Sequence, residues 1–154
     1  MKKILVLIIC VLLLSGCSRR KTNEILSYVE VAGTNCVLDN EKDSHGGFLG
    51  DGDYYARIKC DSVELLNSWK ELPLPEEIEE IMSMEQCTEK DCKTPYDRYN
   101  IPKLENGKFI FIDRHSESTN KYEYKEINDR ASYNFTLGLL DIENNTVYVY
   151  ELDT

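Results

Sequence analysis

The sequence predicts a single α+β domain, with a mostly antiparallel sheet of about five strands and two short helices between the second and third strands. The sheet is predicted from pairs of apolar or alternating segments near both ends of the domain. Turns rich in glycine or asparagine join the segments of each pair. Between these pairs, apolar residues recur at helical spacing after a capping signal and a proline, which predicts the helices. The chain has no internal repeat and no long linker, so residues 24–154 are predicted to form one domain.

The first 16 residues are predicted to be a signal peptide. Lys2 and Lys3 precede an uncharged apolar run from Ile4 to Leu14, which is typical of export. A transmembrane helix would need roughly 20 apolar residues, and basic residues end this run too soon. The residues Leu14-Ser15-Gly16-Cys17 resemble the bacterial lipobox. The resemblance implies cleavage before Cys17 and diacylglycerol on its thiol, with residues 17–23 as a lipidated tether.

This resemblance also implies a location and a partner. The chain is expected on the extracytoplasmic face of the cell membrane, bound to the membrane through the lipid on Cys17. Loss of residues 1–16 removes two lysines and no acidic residue, which changes the net charge from −10 to −12. Such a charge argues against a nucleic-acid partner, because phosphate is bound by lysine and arginine. A protein is the other candidate partner.

A short helix and a β-hairpin are predicted to open the domain. The segment from Glu24 to Val31 carries apolar residues at helical spacing, although its second half also alternates like a strand. Residues 36–43 and 53–60 are predicted strands on either side of a glycine-rich loop. On the second of these strands one face is expected to be buried and the other exposed, and the residues that share the first face are Tyr54, Ala56, Ile58 and Cys60.

Four cysteines lie within the domain, and an even number in an exported chain predicts two disulfides. If the hairpin turns at Phe48, Cys36 lies opposite Cys60, within disulfide reach. Cys87 is then left to pair with Cys92. A four-cysteine zinc site is the alternative, but the chain has no CxxC pair, so neither a metal nor another cofactor is predicted.

Two helices are predicted after the hairpin. The residues Asp61-Ser62-Val63-Glu64 have the pattern of a capping box that opens the first helix. Its inward side chains are expected to be Leu65, Leu66 and Trp69. The second helix is predicted to begin at Pro75, a favoured first helical residue. Its apolar stripe is Ile78, Ile81 and Met82. Residues 85–107 are predicted to be irregular.

The C-terminal part is predicted to supply three strands. The nearly continuous apolar segment Lys108 to Asp113 should lie centrally, with both faces covered. A short helix is predicted at Lys125 to Arg130. Tyr133 to Asp141 and Thr146 to Leu152 are predicted to pair through a two-residue turn at Asn144-Asn145, where asparagine can take a positive φ. The helices are expected on one face of the resulting sheet.

The glycine-rich loop is the candidate binding loop. Its glycines permit backbone conformations that other residues avoid, and the phenylalanine between them would be costly to expose. It either tucks under the sheet or forms the apolar tip of a partner-binding surface. The candidate residues are His45, Gly46, Gly47, Phe48, Asp51, Asp53 and, after another strand, His115.

Both histidines follow an aspartate by two residues, in Asp43-Ser44-His45 and Asp113-Arg114-His115. A nearby carboxylate can fix the tautomer of a histidine and raise its basicity. If the two segments meet, a metal-dependent or acid–base hydrolase that uses these four residues is the alternative function. No Gly-x-Ser-x-Gly motif occurs, so no catalytic residue is assigned.

The segments His45–Gly52 (HGGF-x-GDG), Asp113–Ser118, Asn134–Thr136 and Val147–Leu152 resemble a group of small Firmicutes proteins whose function is not known. The resemblance implies one domain with a C-terminal strand pair, and no activity. Three hypotheses follow. The preferred one is a non-enzymatic binding or interaction module on a surface lipoprotein. The others are the hydrolase and a structural envelope protein without a ligand.

Overall fold

A computed structural model of the chain describes residues 21–154 apart from 46–50, 67, 89–90, 116–117, 119 and 126. The signal peptide, Cys17 and the loop residues Gly46, Gly47 and Phe48 lie outside the described residues. In chain order the elements are α1 (21–28), β1 (Val31–Thr34), β2 (Val37–Asp43), β3 (Gly52–Lys59), β4 (Ser62–Leu65), β5 (Lys70–Glu71), α2 (Glu76–Ser83), β6 (Gln86–Cys87), β7 (Cys92–Lys93), α3 (Pro95–Tyr99), β8 (Lys108–Asp113), a 3-10 helix (Ile127–Asp129), β9 (Asn134–Asp141) and β10 (Thr146–Asp153).

The fold is α+β, as predicted, and its main sheet is antiparallel throughout. Six strands form this sheet in the order β2-β3-β10-β9-β8-β5, rather than about five. The additional strand is β5, a two-residue strand that pairs with β8 at one edge. Within the described residues, two small ribbons, β1–β4 and β6–β7, accompany the main sheet.

The main sheet is covered on both faces. Along β8, Phe109 and Phe111 face the core beneath α2 and α3, whereas Ile110 and Ile112 face a second core beneath α1. This alternation follows from the two-residue period of a strand. The two helices between β3 and β8, α2 and α3, share one face of the sheet as expected, whereas α1 lies on the opposite face. The expectation that one face of β3 is exposed is wrong at Tyr55, which is as fully buried as its neighbour Ala56, and only Lys59 on that face is exposed.

The first hairpin confirms the predicted cysteine pairing. Val37 lies opposite Lys59, which brings the adjacent Cys36 beside Cys60, and the two form a disulfide. The register then shifts by one residue at a bulge between Leu38 and Asn40. The second disulfide joins Cys87 and Cys92 across the β6–β7 ribbon.

The prediction of a helix after Asp61 is wrong, since Ser62–Leu65 forms the strand β4. This strand pairs with β1, and Val31 lies opposite Leu65. The carboxylate of Asp61 accepts a hydrogen bond from the Asn35 side chain instead of capping a helix. Leu66 is exposed rather than inward, while the half-buried Trp69 donates its indole N–H to the carbonyl of Val29.

Two helices do lie between β3 and β8, but only α2 is at a predicted position. Its apolar stripe of Ile78, Ile81 and Met82 is buried as predicted, and Pro75 immediately precedes the first helical residue. The other helix, α3, lies in the segment predicted to be irregular. The hydroxyl of Thr94 caps it by accepting the backbone N–H of Asp97, and Pro95 occupies the first turn.

The C-terminal strands are close to prediction. Both faces of β8 are buried, although β8 lies next to the edge strand rather than at the centre of the sheet. Between β9 and β10 the turn has four residues, 142–145, because Asp141 pairs with Thr146. Of its two asparagines only Asn145 has a positive φ, of 45°. The predicted short helix is the 3-10 helix Ile127–Asp129.

At its N-terminal end the described domain includes residues assigned to the tether. Residues 21–23 belong to α1, and Thr22 is buried. Among the described residues no helix has both the length and the apolar character needed to span a membrane.

Candidate functional site

One end of the main sheet is rich in acidic residues, and we call it the acidic end. Here β2 ends at Asp43, β8 ends at Asp113 and β10 ends at Asp153, while β3 begins at Gly52 and Asp53. Antiparallel pairing places these termini together, since Asp153 lies opposite Gly52 and Asp43 lies opposite Tyr54. Both Asp-x-His segments of the sequence therefore end at the same edge of the fold.

His45 is held between two carboxylates. Its Nδ1 lies 2.7 Å from Oδ1 of Asp43, as the sequence predicts, and its Nε2 lies 3.0 Å from Oδ2 of Asp153. A carboxylate only accepts hydrogen bonds, so the imidazolium, with two N–H donors, satisfies both contacts. Burial acts to lower the pKa of His45, but the two hydrogen bonds and the two negative charges outweigh it and raise this pKa. The hydrogen bonds from His45 lower the pKa of Asp43.

Arg114 joins the second predicted segment to the same carboxylate. Its Nη2 lies 2.8 Å from Oδ1 of Asp153, and its Nη1 lies 3.2 Å from Oδ2. Nη2 also donates to the carbonyl of Phe135 at 3.0 Å. The segments around His45 and Arg114 are thus brought together by Asp153. Sequence reasoning missed Asp153 and Arg114, because no local motif marks a contact between residues so far apart in the chain.

Asp113 is buried and paired with other residues of the fold. Its side chain is 1% exposed, and its Oδ2 lies 2.8 Å from Nη1 of Arg130. Its Oδ1 accepts the backbone N–H of His115 at 3.0 Å. Within the described part of the chain, histidine, cysteine and acidic side chains form no group of three placed to hold a metal ion. For acid–base chemistry, both ring nitrogens of His45 are already bound to carboxylates, so neither is available as a base.

A cleft of about 480 Å³ opens beside the acidic end. Its walls come from the chain on both sides of the candidate loop, the C-terminal end of α2, the β6–β7 ribbon, α3 and the end of β10. Of the predicted loop residues, Asp51 and Asp53 line this cleft, and His45 reaches its wall through Asp153. The volume lies within the range of small-molecule sites, about 300–1,000 Å³.

Asp53 is the most unusual side chain of the cleft. It is 3% exposed, and its Oδ1 is hydrogen-bonded to the hydroxyl of Ser44, which also accepts the Asp53 backbone N–H at 2.8 Å. Its Oδ2 is buried and forms an ion pair with Nη1 of Arg98, at 3.7 Å. Burial, a hydrogen bond to the Asp53 side chain and the negative charge of that carboxylate raise the pKa of Tyr99.

The other walls of the cleft are largely apolar. α2 and the residue after it contribute Ile81 and Met84, and β10 contributes Leu152. Ile81 and Leu152 are buried, whereas Met84 is 49% exposed and lies at the mouth. Sequence reasoning missed this wall because it predicted Ile81 only as a core residue and the segment after it only as an irregular excursion.

The fold is a small α+β domain with a cleft whose volume lies in the range of small-molecule sites. Neither a protein-family model, nor a curated protein, nor a solved structure matches this chain.

Proposed function

We propose that this protein is a membrane-anchored surface lipoprotein whose domain is a non-enzymatic binding module, with its ligand site in the cleft beside the acidic end. The cleft is the observation that carries this proposal. Apolar walls with a few convergent polar groups are the usual character of a ligand site, and here the polar group is a nearly buried carboxylate, Asp53.

The anchor is supported by the leader and by the cysteines. The lipobox-like residues Leu14 to Cys17 follow a short apolar run, and the residues that the structure describes begin a few positions later, in α1. Two disulfides suit an oxidising compartment outside the cytoplasm. With the lipid on Cys17, the domain lies directly at the extracytoplasmic face of the membrane.

The contacts of His45, the candidate base, support binding rather than catalysis. His45 is bound on both sides, to Asp43 and Asp153, and so acts as a structural link at the rim of the cleft. The hydrolase alternative would need this ring to exchange protons with a substrate. That exchange would require breaking one of two charge-assisted hydrogen bonds.

The anchor is tested by mass spectrometry of the mature N-terminus in membranes of a bacterial host. We expect a chain that begins at Cys17 with diacylglycerol on the thiol, and a Cys17→Ala variant without lipid. Cys10→Ala is the matched control, because Cys10 lies inside the leader and its loss should not change the mature protein. An intact Met1 or an unmodified Cys17 would contradict the anchor.

The binding site is tested by NMR of the mature chain with a panel of small amines, alcohols, carboxylates and sugars. At least one class should shift resonances of residues around the cleft, and Met84→Lys at its mouth should weaken that binding. Leu66→Lys is the control, since Leu66 is similarly exposed but lies outside the cleft. If no compound perturbs the cleft, the proposed binding function is wrong.

A further inference from the structure

We propose that the Cys87–Cys92 disulfide is a redox switch in the wall of the cleft. A dithiol opens this disulfide selectively, and the β6–β7 ribbon then leaves the wall. Cys87 lines the cleft, and the disulfide joins the two strands of the ribbon. The regulation of ligand binding by this switch rests on the proposed function, whereas the reduction itself does not.

The two disulfides of the domain differ in their exposure to solvent. Cys87 and Cys92 are both exposed. Cys36 and Cys60 are half-buried and pack against the core under α1. The backbone of Gly33 also lies against them, since a Cβ added there would be 2.4 Å from Sγ of Cys36. Because thiol–disulfide exchange requires access of a thiolate to a sulfur atom, it is favoured at the exposed pair.

The fold also holds the two pairs of sulfur atoms together with unequal strength. Without its disulfide, Cys36 would stay beside Cys60, because β2 and β3 remain paired from Val37 to Asp43. The β6–β7 ribbon has only two residues in each strand, and one of its two pairs consists of the cysteines themselves. A ribbon of this length is not stable without further support. The thiols of this ribbon are therefore held together less firmly, which makes its disulfide the easier one to reduce.

Gln86 connects the ribbon to the rest of the cleft. Its Nε2 donates to the hydroxyl of Tyr150 at 2.9 Å, and its backbone carbonyl accepts a hydrogen bond from Nη2 of Arg98. Both Gln86 and Arg98 line the cleft. Hydrogen bonds that compete with water are only modestly stabilising, so these two do not keep the reduced ribbon in place. Reduction therefore turns residues 84–94 into one open connection between α2 and α3, and the cleft loses a wall.

The reductant is a dithiol, and the exchange proceeds through two displacements. A thiolate of the dithiol attacks one sulfur atom, breaks the Cys87–Cys92 bond and forms a mixed disulfide. The second thiol of the reductant then displaces the bound cysteine and closes the reductant into its own disulfide. Two electrons and two protons pass from the dithiol to the protein, so both cysteines end as thiols.

The selectivity is tested with the mature lipidated chain in nanodiscs of zwitterionic lipid. The chain is equilibrated at increasing ratios of reduced to oxidised dithiothreitol, the free thiols are alkylated, and the peptides are identified by mass spectrometry. We expect labelling of Cys87 and Cys92 at a ratio at least about tenfold lower than that for Cys36 and Cys60. The emission of Trp69, which packs against the core under α1, should stay native over that interval. Labelling of all four cysteines at one ratio would overturn the inference.

The release of the ribbon is tested by hydrogen–deuterium exchange at the ratio where only Cys87 and Cys92 are reduced. Peptides from residues 84–94 should exchange at least about tenfold faster than in the oxidised chain, and peptides from β9 should be unchanged. Unchanged exchange of residues 84–94 would also overturn the inference. A chain with Cys87→Ser and Cys92→Ser should show the fast exchange without reductant, and a chain with Cys36→Ser and Cys60→Ser is the matched control. The wild-type comparison does not depend on the folding of either variant.

Neither measurement uses a ligand, so their results are separate from those for the proposed function. If reduction is selective and releases the ribbon while the NMR panel perturbs no residue of the cleft, the binding function is wrong and the redox switch stands. If a compound binds the cleft while all four cysteines are reduced together, the binding function stands and the redox switch is wrong.

Discussion

The contacts of His45 with two carboxylates are predicted to stabilise the fold at low pH and to contribute less as the pH rises. Replacement of His45 by asparagine removes the contact of Nδ1 with Asp43 and that of Nε2 with Asp153. The side chains of His45 and Asp153 are each 24% exposed, whereas that of Asp43 is 59% exposed, so the contact with Asp43 is strongly screened. With about 1–2 kcal/mol for the contact with Asp153 and less than 1 kcal/mol for the contact with Asp43, we expect a loss of about 2 kcal/mol at low pH.

The sign of the pH dependence follows from the raised pKa of His45. The folded state holds its proton more tightly than the unfolded chain, whose histidine titrates near pH 6.5. The stabilisation is therefore fully present below about pH 6.5 and is lost as the pH rises through the folded-state value. The difference in unfolding free energy between the wild type and His45→Asn should shrink over that interval.

Urea denaturation followed by fluorescence measures this difference at about pH 5.5 and about pH 9, on either side of the titration. Trp69 is the single tryptophan of the chain and is packed against the core under α1, so its emission reports global unfolding. His115→Asn is the control, because it removes the other histidine and leaves both contacts of His45 in place. A difference that is equal at both pH values, or larger at the higher one, would refute the reasoning.

Three further predictions concern stability, measured by urea denaturation without reductant. Removing the Cys36–Cys60 disulfide should lower the free energy of unfolding by about 3.5 kcal/mol, and removing Cys87–Cys92 should lower it by about 2 kcal/mol, because the first disulfide closes the longer loop. Equal losses would contradict this. Gly138→Ala should cost about 1–3 kcal/mol, since its Cβ would lie 2.7 Å from an isoleucine methyl group, and an unchanged midpoint would show that the core adapts. Arg130→Gln should cost about 3 kcal/mol by leaving the buried Asp113 carboxylate unpaired, and Arg130→Lys should cost less; equal costs would refute the charge argument.

Several elements could be predicted because their signals are local. The apolar residues of β8 and the stripe of α2 recur at the spacing of a strand and a helix. The hairpin register placed Cys36 beside Cys60, since pairing continues regularly from Val37. For α3 a signal was present in Thr94, Pro95 and Asp97, and it was overlooked inside a segment predicted to be irregular.

Other elements depended on distant parts of the chain. The residues Ser62 to Leu65 suit either a capped helix or a strand, and pairing with β1 decides for the strand. A pattern of four residues cannot carry that information, because the partner lies about 30 residues earlier. The same holds for the position of α1 on the opposite face from α2 and α3.

The sequence by itself determined the class of fold, the disulfide pairs and the two Asp-x-His segments, since side-chain periodicity and strand pairing across a short loop follow from backbone geometry. It also carries the lipobox-like residues on which the proposed anchor rests. The tertiary structure alone decided what lies at the acidic end. Asp153 joins His45 to Arg114, and Asp53 lies in a cleft walled by α2 and β10. These contacts unite residues far apart in the chain. Strand pairing in the finished sheet brings Asp153 to His45 and Arg114, and the packing of α2 on that sheet forms the cleft beside Asp53.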